Sequence, residues 1–203
     1  MHRRPLLSML ECYRHAFPAE AEVVDRIVAL VEAHVDCFER TCRPGHITGA
    51  AWIVSADRRR CLLTHHRKLD RWLQLGGHAD GQTQIEEVAL REAREESGMT
   101  GFDIVPIAGA LLPLDLDVHQ IPARYDAAGR QIEDAHEHHD VRFLLVAHAG
   151  QEAAASDEDL AARAAAGDVP AFETLVERYQ ARVFRLACRL TGNESDAPDV
   201  MQE

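Results

Sequence analysis

Residues 77–99 read GHADGQTQIEEVALREAREESGM, and this stretch decides the architecture. The glycine-rich loop that opens it, GGHADGQ at 76–82, leads into a helix predicted over Thr83–Ser97 and stopped by Gly98. Glu92, Glu95 and Glu96 stand at i, i+3 and i+4, so a helix puts all three carboxylates on one face. Like charges that close repel one another, and a divalent cation is their natural compensation. Hard oxygen ligands favour Mg2+ or Mn2+ over zinc. The start of a helix after a glycine loop is also a ready anion site. Metal and anion together point to phosphoryl or pyrophosphoryl chemistry. The plainer alternative is a solvated acidic helix face.

Outward from this helix the hydrophobic period changes repeatedly. Upstream, residues 5–40 read as helix, with Leu6, Leu7 and Leu10 followed after Pro18 by Val23, Val24, Ile27, Val28, Leu30 and Val31. Arg43-Pro44-Gly45 ends that pattern. Ile47–Ser55 then reads as a strand, Cys61–Thr64 as a second and Trp72–Leu75 as a third. Downstream, 102–118 contains a strand, 119–140 reads as a long polar loop, and Val141–Ala147 reads as a strand buried on both faces. Trp52 and Trp72 flank strands and read as core more readily than as base-stacking residues. Arg67 and Lys68 are candidates to meet substrate phosphates and His78 to line a pocket, against the alternative of a basic surface turn. His136, His138 and His139 allow a metal or phosphate role or a solvated histidine-rich loop, and His119 is equally open.

The 203 residues suffice for one ordinary domain, or one domain plus a small appendage. Lys+Arg number 22 against Asp+Glu 34, a net charge of −12 that repels nucleic-acid backbones and anionic membranes. A phosphorylated substrate therefore needs a local arginine cluster or a bridging metal, and direct DNA binding is not expected. No apolar run approaches the roughly 18–20 residues that cross a bilayer. The N-terminus lacks an apolar signal-peptide core, and the five cysteines show no C-x-x-C pair. Free thiols in a reducing cytoplasm are the expectation.

The stretch 77–99 resembles the Nudix box, G-x5-E-x7-R-E-U-x-E-E-x-G-U with U a bulky aliphatic. Gly77 takes the first position, and Arg91, Glu92, Ala93, Glu95, Glu96, Gly98 and Met99 take the later ones. Thr83 stands where the pattern has its first Glu, and Ala93 is small for its slot. PGHITGAAWIV, LLTHHRKLDRWLQLGGHADG and HHDVRFLLVA extend the likeness, within a bacterial subgroup that carries a helical N-terminal extension. The resemblance implies an α/β/α sandwich with a mixed sheet, and metal-dependent hydrolysis of a nucleoside diphosphate linked to another group. It places metal binding on Glu92, Glu95 and Glu96, with the carbonyl of Gly77 or its neighbour as a further ligand. Which glutamate is the general base is left open. Arg91 is expected to brace the loop and helix through carboxylates, with Glu86 or Glu87 standing in for the missing glutamate at Thr83.

The expected organisation is a helical extension over 1–45, the core over 46–150 and a helical appendage over 157–203. The appendage resembles the first part of region 2 of an extracytoplasmic-function sigma factor, through its D-E-x-L start, A-F-x-x-L-V-x-R-Y helix, R-L-T-G-N stop and D-A-x-D-V-x-Q-E ending. That likeness implies docking of core RNA polymerase through Asp199, Gln202 and Glu203. The alternative for these residues is a helical hairpin packed on the core in place of the closing strand and helix. Three readings follow: a pyrophosphohydrolase, a nucleotide-sensing module of the same fold, or a transcription-linked protein. Substrate choice is expected to lie in 112–140.

Overall fold

The computed structural model describes residues 2–66, 70–153, 164–174 and 176, with His66 through its backbone alone. The chain divides into two compact units, Met1–Glu152 and Ala153–Glu203. The first unit is a mixed α/β domain in which helices and sheet share one apolar core. In the second, Gly167 adopts a left-handed φ of 94° and the Asp168 carboxylate accepts from the Ala171 N–H at 3.2 Å, starting a helical stretch at 169–174. Among the described residues no helix is long and apolar enough to cross a membrane.

The N-terminal segment forms α1 (Arg4–Ala16), a short 3-10 turn at Pro18–Glu20, and α2 (Ala21–Ala33). Leu6, Leu10 and Tyr13 line one stripe of α1, and Val24, Ile27, Leu30 and Val31 one stripe of α2. The helix predicted as far as residue 40 stops at Ala33, where His34 turns extended. Val35 is left exposed while Cys37 and Phe38 are buried, which a continuing helix would not allow. Leaving the helix lets the Cys37 carbonyl accept the Ile47 N–H at 2.8 Å, tying this segment to the sheet.

The sheet has six strands: β1 (Gly45–Val54), β2 (Cys61–Leu62), β5 (Leu75–His78), β6 (Phe102–Ile104), β7 (Asp115–Ile121) and β10 (His136–Ala147). Two hairpins stand apart from it, β3 (Thr64–His66) with β4 (Arg71–Leu73) and β8 (Arg124–Tyr125) with β9 (Gln131–Glu133). β1 runs parallel to β10 over ten residues, from Gly45↔Glu137 to Val54↔Val146. β5 and β2 pair antiparallel along the other edge of β1, and β7 and β6 along the other edge of β10.

The two faces of the central pair differ in chemistry. Strand alternation puts Ile47, Gly49, Ala51 and Ile53 on one face beside Val141, Phe143 and Leu145. These residues are buried and, Gly49 apart, belong to the shared apolar core. The opposite face carries His46, Thr48 and Ala50 beside His138, Asp140 and Arg142, with His119, Asp117 and Asp115 of β7 in register and His78 of β5 paired to Thr48. Here the structure corrects four expectations. Residues 119–140 are not one long loop, because polar β7 and the start of β10 pair with each other. The histidines 136, 138 and 139 lie in a strand, with His136 and His139 only 2% exposed. Val141–Ala147 is fully buried on alternate residues, not on both faces. Trp72 does not fill core, being 66% exposed, and Trp52 is half-buried.

Candidate active site

The helix α3 (Ile85–Ser97) begins two residues later than expected and ends at Gly98, whose φ of 70° is the left-handed cap that lets its N–H bond the Arg94 carbonyl. Glu86 and Glu87 in the first turn and Arg94 in the last suit the helix dipole. The buried face carries Ile85, Val88, Ala89, Glu92 and Ala93. A carboxylate on that face has a steric cause. Gly49 and Gly77 are register partners in β1 and β5. A β-carbon at Gly49 would lie 2.8 Å from Val88, and one at Gly77 would lie 2.7 Å from the Glu92 carboxylate. Val88 and Glu92 are one turn apart, so the glycine pair lets the helix rest directly on strand backbone and seats Glu92 there at 7% exposure. Gly76 and Gly77, expected in a loop, are thus strand residues that the helix overlies.

Arg91 holds this arrangement from one nitrogen. Its Nη2 donates to Glu92 Oε1 at 2.7 Å and to the His78 carbonyl at 2.8 Å, linking helix to strand. Glu96 Oε2 accepts the Gly76 N–H at 3.3 Å. Glu95 is half-buried and Glu96 exposed. One helix face thus offers three carboxylates at three depths, beside strand residues 76–78.

The N-terminal segment braces the loop that enters the helix. Arg40 donates to both carboxylate oxygens of Asp80, at 2.7 and 2.6 Å, and the Gly81 N–H bonds the Phe38 carbonyl at 3.0 Å. Burial pushes the Asp80 carboxyl up, but the Arg40 bonds outweigh it and hold the group below the ordinary carboxylate range. Asp80 and Gly81 both have positive φ, 50° and 85°. A side chain at Gly81 would also meet Glu39 Oε1 at 2.7 Å. At the other end of α3, the Gln151 Oε1 accepts from Thr100 N at 2.8 Å and Gly101 N at 2.9 Å, while its Nε2 donates to the Gly101 carbonyl at 2.7 Å.

The structure brings Gly77, His78, Arg91, Glu92 and Glu96 together through these contacts, with Glu95 on the same helix. Arg67 and Lys68 lie outside the described residues, as do Asp199, Gln202 and Glu203. Sequence reasoning missed His46 and the network formed by Thr48, Asp140 and Arg142. Arg142 reaches Asp115, Asp117 and Asp140 at 3.3, 2.6 and 2.9 Å, and the Thr48 hydroxyl donates to Asp140. The available signal was the i, i+2 spacing of 136, 138, 140 and 142, which marks one strand face.

The family model described as NUDIX domain matches residues 45–179. That span runs from the first residue of β1 into the segment 157–203 expected as a separate appendage. Among curated proteins none matches the chain. Among solved structures, a hydrolase of the NUDIX family from Clostridium perfringens is similar at 21% identity and TM-score 0.39, covering 64% of this chain and 97% of that one. The E. coli dihydroneopterin triphosphate pyrophosphohydrolase is 17% identical at TM-score 0.36, covering 56% and 75%. The C. elegans Ap4A hydrolase is 17% identical at TM-score 0.35, covering 68% and 97%. With the matched model spanning the strands, the glycine pair and the glutamate helix, the chain belongs to the Nudix family and is a Nudix hydrolase acting on phosphoric anhydrides.

Proposed function

We propose that this hydrolase cleaves a pyrophosphate bond in a nucleoside diphosphate linked to another group, with Mg2+ or Mn2+ as cofactor. The observation that carries the reading is the Glu92 carboxylate, buried on Gly77 and continued along the same helix by Glu95 and Glu96. The donor set fits a hard divalent cation, since it is all carboxylate and carbonyl oxygen around a cradle too tight for a β-carbon. Glu92, Glu95, Glu96 and the Gly77 carbonyl would hold the ion, which when bound neutralises phosphate charge and polarises the bond to be cleaved. A chain of net charge −12 needs such a counter-charge to admit a diphosphate.

The remaining work falls to the chain's own groups. Arg91 orients Glu92 and fixes the strand backbone at His78. Water attacks one phosphorus, its oxygen bonds there, and the bridging P–O bond breaks with its electrons staying on the departing phosphate. The water proton passes to a carboxylate of the same helix, Glu92, Glu95 or Glu96. Arg67, Lys68 and His78 are the candidates for contact with the substrate phosphates. Residues 157–203 take no part in this proposal.

The test is turnover of a panel of nucleoside diphosphate derivatives with and without Mg2+, following phosphate-containing products. Metal-dependent cleavage that falls by orders of magnitude in both Glu95→Gln and Glu96→Gln, with melting curves unchanged, is the expected result. Near-wild-type turnover in both variants sinks the assignment. Tight binding of a diphosphate by a folded chain that never cleaves it would assign a sensing role instead.

A further inference from the structure

On the face of the sheet opposite the one that the glutamate helix packs on lies a histidine cluster, of which only His78 is a candidate for contact with the substrate. His46 of β1 and His138 of β10 are register partners, His136 precedes His138 by two on the same face, and His78 of β5 pairs with Thr48. The His46 ring centroid lies 5.0 Å from that of His78 and 4.9 Å from those of both His136 and His138. His46 is 1% exposed, yet neither of its ring nitrogens has a hydrogen-bond partner. His136 Nε2 and His138 Nε2 are likewise buried without one. Leaving buried polar atoms unpaired costs about 1–3 kcal/mol each, so a cluster of them needs an explanation.

We propose that His46, His136 and His138 form a second metal site, distinct from the carboxylate site, that takes Zn2+ or a chemically similar divalent transition metal. One ligand nitrogen from each of the three lies within 4.8 Å of the others. A tetrahedral zinc with bonds of about 2.0–2.1 Å sets its nitrogens roughly 3.4 Å apart, a closure that small ring rotations supply. The His136 Nδ1 lies 2.8 Å from the Asp134 carbonyl, so it donates there and leaves the lone pair on Nε2. Imidazole suits zinc, nickel, cobalt or copper and not Mg2+, so the two sites differ in the ions they prefer. Burial first, then the neighbouring imidazoles, hold His46 down to about 3. Burial and the His78 ring hold His138 down to about 4. Both are therefore neutral and ready as ligands at ordinary pH. Glu133 Oε1, 3.9 Å from His136 Nε2, supplies negative charge nearby.

A second grouping, His119, His138 and Asp140, has the same spacing. There Asp140 is already committed to Thr48 and to Arg142, and an ion would have to displace the guanidinium. Among the described residues the three-histidine site has no such occupant. Its reach extends to the reaction centre, since the backbone of His78 is the strand anchor of Arg91. A metal on His46, whose ring lies 5.0 Å from that of His78, would bear on the strand on which Glu92 sits.

The test is a titration of tag-free, chelator-treated full chain with Co2+ followed by Zn2+, read by visible spectroscopy and bound-metal analysis. The expected result is one Co2+ per chain with the intense ligand-field bands of a four-coordinate site built on three histidines, bleached by one equivalent of Zn2+. The bands persist in the Glu92→Gln/Glu95→Gln/Glu96→Gln triple variant, which separates this site from the hydrolytic one. They are lost in His46→Phe and in His136→Gln/His138→Gln, with Co2+ affinity falling by at least about 100-fold. Should the buried His46→Phe fail to fold, His136→Gln at the start of β10 carries the comparison. Only weak six-coordinate bands in the wild type, or bands that vanish with the glutamates and survive the histidine variants, overturn the proposal.

Discussion

Gly77→Ala tests whether close approach of helix and strand is what seats the buried glutamate. The added methyl would lie 2.7 Å from Cδ and Oε2 of Glu92 and 2.8 Å from Oε1. Unstrained carbon contacts begin near about 3.5 Å, so the carboxylate or the strand must give way by roughly 0.8 Å. Neither has an easy exit. Glu92 is 7% exposed and bonded to Arg91, which is itself bonded to the strand at His78. Overpacking of this kind costs about 1–3 kcal/mol. In a domain of this size that lowers Tm by about 2–12 °C. A catalytic group displaced by this distance loses on the order of 10–100-fold in kcat. The assay pairs circular-dichroism melting with steady-state turnover on the substrate found in the panel. Gly150→Ala is the control, because nothing lies within 4 Å of its β-carbon and its φ of 81° adds backbone strain alone. It should lower Tm and leave kcat unchanged. A Gly77→Ala enzyme with wild-type Tm and kcat would refute the reasoning.

Four further outcomes are expected. Arg91→Ala removes charged hydrogen bonds to Glu92 and to the His78 carbonyl, and should cost about 2–4 kcal/mol in denaturant melts together with most of the activity; an unchanged midpoint would show that the helix needs no such anchor. Arg40→Ala releases Asp80, and hydrogen exchange at 79–82 should quicken while exchange in β10 stays slow. Gln151→Ala strips four hydrogen bonds from the turn at 100–101, for a loss of about 1–3 kcal/mol, read as a lower denaturant midpoint at constant slope. In the chelator-treated chain, stability is full above about pH 6.5, where unfolded histidine is neutral. It declines as pH falls toward 4, because the unfolded chain takes up protons that buried His46 and His138 refuse. His138, His78, His136 and Arg43 face His46 there, and His46→Phe should flatten the slope measured by pH-dependent melting.

The glutamate helix was legible because its signals are local: helical spacing, a terminal glycine, and carboxylates at i, i+3 and i+4. The glycine pair was visible as glycines but not as a pair, since Gly49 and Gly77 meet only through strand register. The polar face failed for the same reason. A strand rich in His and Asp reads as loop when its partners are unknown, and β7 and β10 excuse each other's polarity only once paired. Helix α2 overran because propensity continues past Ala33, whereas burial of Cys37 and Phe38 ends it. Trp72 misled because an indole beside a strand signals core only when the strand is not an exposed hairpin.

The parallel pairing of β1 with β10 also governs when the enzyme comes into being. Thr48 and Asp140, partners across it, are 92 residues apart in the chain. At synthesis rates of about 5–20 residues per second, β1 waits roughly 5–20 s on the ribosome before its neighbour exists. Until then the strand that supports the glutamate helix has one edge unpaired, and the chain carries an incomplete hydrolase. Non-local closure of this kind slows folding. The nascent protein is thus most open to aggregation during the synthesis of residues 55–147, well before any ligand can protect it.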